Sequence, residues 1–438
     1  MIATVLSVVL LLFALLKYNS GRYAWPLFIL IFFASNAFLV NLGDPILKYK
    51  DFGLLMLVGC CCLGLKRDSS FFKFKGIPGA KISVCFLAFF ALEFLYAYLN
   101  NIDTIGNVLA VSRDYLYALT YFVFRKAPTN DSRKGCTLIF KGVMVACALF
   151  VTQFFTHIEL TQSYISEGNL SIGNYRMQST PPFLALILMT LLFYMRRIKG
   201  RWLFIILLFG VYLISQNRTP LIALFLEIGL FILFARKTKH KIPIMIAAMI
   251  AFPFVNSLLA SRASEEGNTS NFDVPVLSYI TQGNFKGLAM QSTFMFRIAL
   301  IAERADYIMS KPEYLLLGVG PMHEDTAQKK FNFSVGTGGI DSNGQVYIGQ
   351  LNSIDVVWGP LIIRYGLVGF ALHLTIIIWM IVAFYKKRDN PIMMLGFLTY
   401  IAALAQSFSS GGLFLLLGIT TIMGFLIAYD RQLELVKN

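Results

Sequence analysis

About thirteen apolar runs of membrane-spanning length follow one another in this 438-residue chain, and a chain so built can fold only with lipid as part of its solvent. The runs lie at 2–16, 23–41, 51–65, 82–99, 104–124, 137–155, 181–195, 202–217, 219–235, 242–260, 360–384, 391–408 and 412–429. Hydrophobic residues make up 57% of the chain and charged residues 14%. A soluble domain carries about 25% charge, so this composition cannot supply a water-exposed surface. The length predicts an all-α, polytopic fold of about 12–14 transmembrane helices, with 1–438 as a single transmembrane domain. The weakest run is 104–124, because Arg113 and Asp114 sit inside it, and the runs at 202–217 and 219–235 make a tight hairpin around Arg218. The first run lacks a basic flank before it and a small-residue cleavage site after it, so it reads as a retained helix and not a signal peptide.

Basic residues between the runs set the orientation. Loops after alternate runs carry Lys17 and Arg22, then Lys66, Arg67, Lys73, Lys75 and Lys81, and so on to Lys386, Lys387 and Arg388. With Arg431 and Lys437 they hold 25 of the 38 Lys and Arg, all on one side, which is therefore the cytoplasmic side. The net charge of +15 is explained by this bias and by contact with anionic lipid; no nucleic-acid motif is present and no nucleic-acid partner is expected. The opposite side receives 42–50, 156–180, the Arg218 turn and the long loop 261–359. A loop of that length usually carries function. Within it, 288–310 has helical amphipathic spacing and predicts an interfacial helix, ended by Pro312 and the Gly318-Val319-Gly320-Pro321 turn. Residues 332–345, rich in Gly, Ser and Asn, predict a mobile flap.

Arginines on the outer side are the charges that the cytoplasmic bias does not explain. Arg218 stands between two apolar helices in Ser215-Gln216-Asn217-Arg218-Thr219-Pro220, where it either snorkels to the interface or faces an anion beside the start of the next helix. Arg297 and Arg304 are seven apart, hence on one helix face, and either share an acidic ligand or pair with Glu303, Asp306 or Glu313 on a solvated face. Arg176 precedes Pro181-Pro182 in another outer loop. Guanidinium groups converging there suit phosphate or pyrophosphate, which they grip bidentately. Asp355, at the end of the long loop, is placed either to take a proton from an acceptor hydroxyl or to cap the next helix. No Asp-x-Asp motif, no Cys-x-x-Cys and no ligand spacing among His157, His240, His323 and His373 occurs, so neither a metal nor a cofactor is expected. Cys60, Cys61 and Cys62 read as packing residues of an apolar run. Glu93 and Glu227 fall inside runs and are expected to pair with Arg113 or another buried cation, the alternative being a proton path. Neither inverted repeats nor broken helices at the midplane, the marks of a transporter, are seen.

These residues resemble the O-antigen polymerase and ligase superfamily, the Wzy and WaaL type of proteins. Ser215-Gln216-Asn217-Arg218-Thr219 looks like that family's Ser-x-Ser-Arg-Thr helix opening. Arg297 through Gly320 looks like its loop motif of an arginine, a helix, Pro and Gly-x-Gly. Asp355 followed by Gly366-Leu367-Val368-Gly369 looks like its His/Asp-Asn-x-Tyr motif before a Gly-Leu-Ile-Gly helix, and the Arg176 region is a fainter match to an earlier outer-loop arginine. The resemblance spans roughly 170–370. Val356 stands where Asn is usual, and Asp355 stands where ligases carry His, which leans toward polymerase. The resemblance implies a GT-C-like membrane glycosyltransferase of lipopolysaccharide biosynthesis in the bacterial inner membrane, working metal-free on the periplasmic face. Its substrates would be undecaprenyl-pyrophosphate-linked oligosaccharides, with a chain-length regulator and a flippase as candidate partners. Arg218 and Arg297 would bind and stabilise the leaving pyrophosphate, Arg176 and Arg304 would add contacts, and Asp355 would activate or orient the acceptor hydroxyl. The rival readings are a ligase acting on lipid A core and a non-enzymatic transporter or flippase.

Overall fold

The apolar runs fold as helices that bury one set of side chains against each other and leave many large aliphatic residues exposed. The computed structural model describes residues 2–36, 45–72, 76–161, 165–167, 175–177, 180–195, 198–215, 218–234, 275–340, 346–353, 356–407 and 416–437. The first four helices are α1 (Ile2–Asn19), α2 (Ala24–Ala34), α3 (Tyr49–Arg67) and α4 (Pro78–Leu99). The run at 104–124 divides into α5 (Ile105–Ser112), a 3-10 turn (Arg113–Ala118) and α6 (Leu119–Phe124). Next come α7 (Thr129–Thr156), α8 (Leu184–Phe193), α9 (Arg201–Ser215) and α10 (Arg218–Phe234). The expected run at 242–260 lies outside the described residues. The long loop holds α11 (Val276–Thr281), α12 (Phe285–Ala289), α13 (Thr293–Met309), α14 (Pro312–Leu315) and α15 (Glu324–Lys330). The chain closes with α16 (Trp358–Lys386), α17 (Pro391–Gln406) and α18 (Leu416–Lys437).

Among the described residues, α1, α4, α7 and α16 are long and apolar enough to cross a membrane, and α2, α8, α9, α10 and α17 are shorter apolar helices. Helix α1 shows why lipid is the solvent. It exposes Val5, Val8, Val9, Leu12 and Leu16 and buries Ala3, Ser7 and Ala14. Water would penalise that stripe of aliphatic side chains, whereas hydrocarbon does not. The only β structure among the described residues is two hairpins in the loops. They are β1 (Ile165–Glu167) with β2 (Tyr175–Met177), and β3 (Gly338–Ile340) with β4 (Val346–Ile348).

The charges inside 104–124 are neutralised in pairs. Arg113 Nη1 lies 2.6 Å from Asp51 of α3, and Lys50 Nζ lies 3.2 Å from Asp114. Arg113 is thus held by Asp51, which corrects the expected pairing with Glu93. Neither Glu93 nor Glu227 forms an ion pair among the described residues, and both carboxyl oxygens of the fully buried Glu93 are without a hydrogen-bond partner there. The last helix is fastened by polar contacts too. Asp430 of α18 accepts from the Gly79 N–H (3.0 Å) and the Tyr121 hydroxyl (2.7 Å), capping α4 from a neighbouring helix.

Helix α16 is broken at Gly366. Gly366 has φ 57° and ψ −158°, a conformation that only glycine adopts readily. The break frees backbone groups, and the Gly318–Gly320 turn satisfies them. Val319 N–H donates to the Ile363 carbonyl and Gly320 N–H to the Arg364 carbonyl, both at 2.9 Å, while Val368 N–H donates to the Leu316 carbonyl at 3.0 Å. The turn docks closely, since a Cβ on Gly366 would lie 2.5 Å from the Leu316 carbonyl oxygen and 2.6 Å from the Gly318 nitrogen. Gly366→Ala is expected to destabilise the protein by about 3 kcal/mol or more, from left-handed strain plus a clash with backbone that cannot rotate away. Thermal unfolding in detergent measures it; a midpoint equal to wild type would mean the docked turn is not held.

Candidate anion-binding site

The amphipathic pattern at 288–310 becomes two helices. Helix α12 ends at Ala289, and α13 starts afresh at Ser292, whose side chain caps it by accepting from the Met295 N–H (3.2 Å). The alternative of a solvated polar face is corrected for Glu303 and Arg304, which are buried. Helix α13 packs on α16 and buries Met295, Ala299, Leu300, Glu303, Arg304 and Ile308. The close approach is made at Gly359, where a Cβ would meet Leu300 Cδ2 at 2.5 Å.

The structure gives the two arginines of this face different surroundings. Arg304 is 1% exposed and its guanidinium is committed. It donates to Glu303 Oε2 at 2.9 Å and to the carbonyls of Gly349 (3.4 Å) and Gln350 (3.1 Å), and it stacks 4.7 Å over the Phe333 ring. Burial pulls its pKa down to about 10, opposed by Glu303 and Glu324, so it remains a cation at neutral pH. Arg297, two turns earlier, is half-buried; its Nε is shielded from solvent and no hydrogen bond or ion pair to it occurs among the described residues.

Arg304 belongs to a frame of buried charge that holds the end of the long loop. A loop with little regular structure must find partners for its backbone, and three acids supply them. Glu303 accepts from Ser334 N–H and Oγ–H, both at 2.7 Å, and from Val335 N–H at 3.1 Å. Glu324 accepts from the N–H groups of Gln350, Leu351 and Asn352. Asp103, in the turn after α4, accepts from His323 N–H at 2.9 Å and so anchors the start of α15. Burial tends to raise the Asp103 pKa, but hydrogen bonds from Asn107, His323, Thr104 and Thr326 together win and lower it. Segment 349–352 is therefore gripped through its carbonyls by Arg304 and through its N–H groups by Glu324. The mobile flap expected at 332–345 is corrected for its first part, because 333–340 is anchored by Glu303, by Gln350 Oε1 on the Phe333 N–H (2.7 Å) and by β3–β4 pairing. Residues 341–345 lie outside the described residues.

Asp355 also lies outside the described residues, but both flanks are fixed. Asn352 is held by Glu324 (2.9 Å), and on the other side Trp358 Nε1–H donates to Ser407 Oγ (2.8 Å). The cap position of α16 is Val357, which offers no side-chain acceptor. Arg218 opens α10 and Arg176 lies in β2 opposite Ser166; the side chains of both are outside the description. His323 caps α15 and the buried His373 contacts the Tyr115 hydroxyl at 3.2 Å.

Sequence reasoning offered Glu303 as a partner of Arg304, and the two pair, but it missed Glu303 and Glu324 as anchors of the loop backbone, and it missed Arg364. Arg364 sits two residues before the break in α16, half-buried, with one long contact from Nη2 to the Met322 carbonyl (3.4 Å) and a solvent-shielded Nε that has no partner among the described residues. An arginine inside an apolar run is itself a signal, and it lay within the run at 360–384. No family model matches the chain, and no curated protein matches it.

Proposed function

We propose that this membrane protein is a polymerase of lipid-linked oligosaccharides, with the O-antigen type as its closest functional description. It would transfer a growing glycan from undecaprenyl pyrophosphate onto a lipid-linked repeat unit. The observation that carries the reading is Arg297: a half-buried arginine whose shielded Nε has no partner among the described residues, on a helix whose next arginine is fully committed. In this reading the loop side is periplasmic, the helices form a GT-C-like bundle in the inner membrane, and the head group of the lipid meets Arg297 at the membrane surface. Fixed positive charge there stabilises the pyrophosphate as it departs, because its negative charge grows in the transition state. Arg218 would add to that field. Asp355, between the anchored residues Asn352 and Trp358, would accept the proton of the acceptor hydroxyl. Arg304 keeps the loop in shape and does not touch phosphate.

A second reading, a transporter of the same lipids, is favoured by one observation, the break in α16, since discontinuous helices line many transport sites. The depth of the break weighs against it. Residues 367–386 alone make a helix about 30 Å long, the thickness of the hydrocarbon core, so with that helix across the bilayer the break would fall at the membrane edge and not at its middle. A reconstituted assay separates the readings. Purified protein is incubated with undecaprenyl-pyrophosphate-linked repeat units, without nucleotide sugar, and products are resolved on a gel. A ladder that is lost in Arg218→Ala and Asp355→Ala is the expected result. Transfer only when lipid A core is supplied would make the protein a ligase. Lipid movement across the vesicle bilayer with no transfer would make it a transporter.

A further inference from the structure

Arg364 has no assigned role, and its place in the fold is specific. It is the second-last residue of the first half of α16, Trp358 to Tyr365, two residues before the glycine break. Its own carbonyl is taken by the Gly320 N–H, which ties the backbone at this point to the loop turn. Its side chain has one long contact, to the Met322 carbonyl, and no acid within ion-pair distance among the described residues. It stands next to a 20-residue half-helix long enough to span the hydrocarbon core; with that half-helix across the bilayer, Arg364 would lie at head-group depth. Arg297 is one turn before Leu300, which touches Gly359 near the start of the short first half, Trp358 to Tyr365. The two arginines therefore attach near opposite ends of a segment about 10 Å long.

We propose that Arg364 forms a second anion site, holding the pyrophosphate of the acceptor lipid while Arg297 holds that of the donor; this rests on the polymerase reading above. Joining two lipid-linked units requires two pyrophosphates at the membrane surface at once. Only the donor's departs, so the acceptor's needs a cation that binds it throughout and gains nothing in the transition state. One arginine near each end of the segment Trp358 to Tyr365, Arg297 from α13 and Arg364 from α16 itself, keeps the two anions apart, where one shared arginine would bring like charges together.

The test is the number of pyrophosphate lipids bound by the full chain in phosphatidylcholine nanodiscs, with radiolabelled farnesyl pyrophosphate as the probe. Wild type is expected to bind two per chain. Arg364→Gln is expected to bind one with unchanged affinity, the second weakened at least about tenfold. Arg364→Lys, which keeps the charge, is expected to retain both and serves as the control for folding. Two unchanged sites in a folded Arg364→Gln protein would overturn this inference alone, whereas no binding by wild type would remove the polymerase reading with it. Inorganic pyrophosphate binding as tightly as the farnesyl probe would mark a site for free phosphate, and displacement by phosphatidylglycerol would mark a phospholipid site; either result overturns the assignment to an acceptor lipid.

Discussion

Arg304→Leu is expected to cost about 3–5 kcal/mol of stability, the usual penalty for removing one partner of a buried ion pair. The side chain is 1% exposed, so water cannot take its place without opening the loop. Its loss leaves the carbonyls of Gly349 and Gln350 without their donor and leaves the Glu303 carboxylate facing only the donors of Ser334 and Val335. Replacing both members by apolar groups does not rescue the fold, as it does for some isolated buried pairs, because Glu303 also serves three loop donors. Hydrogen exchange at the amides of 350–352, read beside thermal unfolding in detergent, measures the effect locally and globally. Faster exchange there, with a lower unfolding midpoint, is the expected pair of results. A variant as stable as wild type would show that the frame contributes packing and no net charge stabilisation.

The frame also explains what could be read in the sequence and what could not. Apolar runs and alternating basic loops are periodic, so helices α1 through α4 and α7 through α10 were legible from pattern alone. Helix α13 was legible for the same reason, but its setting was not. Amphipathic spacing gives a face, and it does not say whether that face meets lipid head groups or another helix; the contact at Gly359 decides it. Glu303 and Arg304 are adjacent, and neighbours in sequence do not face each other on a helix. They meet because both long side chains turn toward 333–335 and 349–350, a coincidence of tertiary structure with no sequence period. Carboxylates that accept from backbone N–H groups, as Glu324 and Asp103 do, leave no motif, since any residue can supply the donor. The break in α16 was hidden because Gly366 and Gly369 stand in an otherwise apolar run, and glycine inside a helical pattern marks either close packing or a departure from helix. Here it is both: Gly366 is the break, and a Cβ on Gly369 would meet Phe89 at 3.0 Å.

Arg297→Gln is expected to show the reverse pattern to Arg304→Leu. Its rate of polymer formation should fall about a hundredfold to a thousandfold, the scale of losing one preorganised donor to a developing anion. Its stability should stay the same or rise slightly. A shielded Nε without a partner among the described residues is a cost to the folded protein, and glutamine removes the charge that is being held there. Proteins tolerate such costs where function needs them, and stability is commonly gained when the functional group is deleted. Arg297 and Arg304 share one face of one helix, so general damage to α13 would affect both variants alike. Measuring ladder formation and unfolding on the same preparations therefore separates a ligand-binding arginine from a structural one. If Arg297→Gln loses stability as Arg304→Leu does, Arg297 has a protein partner, and the observation on which the polymerase reading rests is withdrawn. If it keeps its stability and loses the ladder, the two arginines of one helix divide the work, one shaping the loop and the other holding the anion.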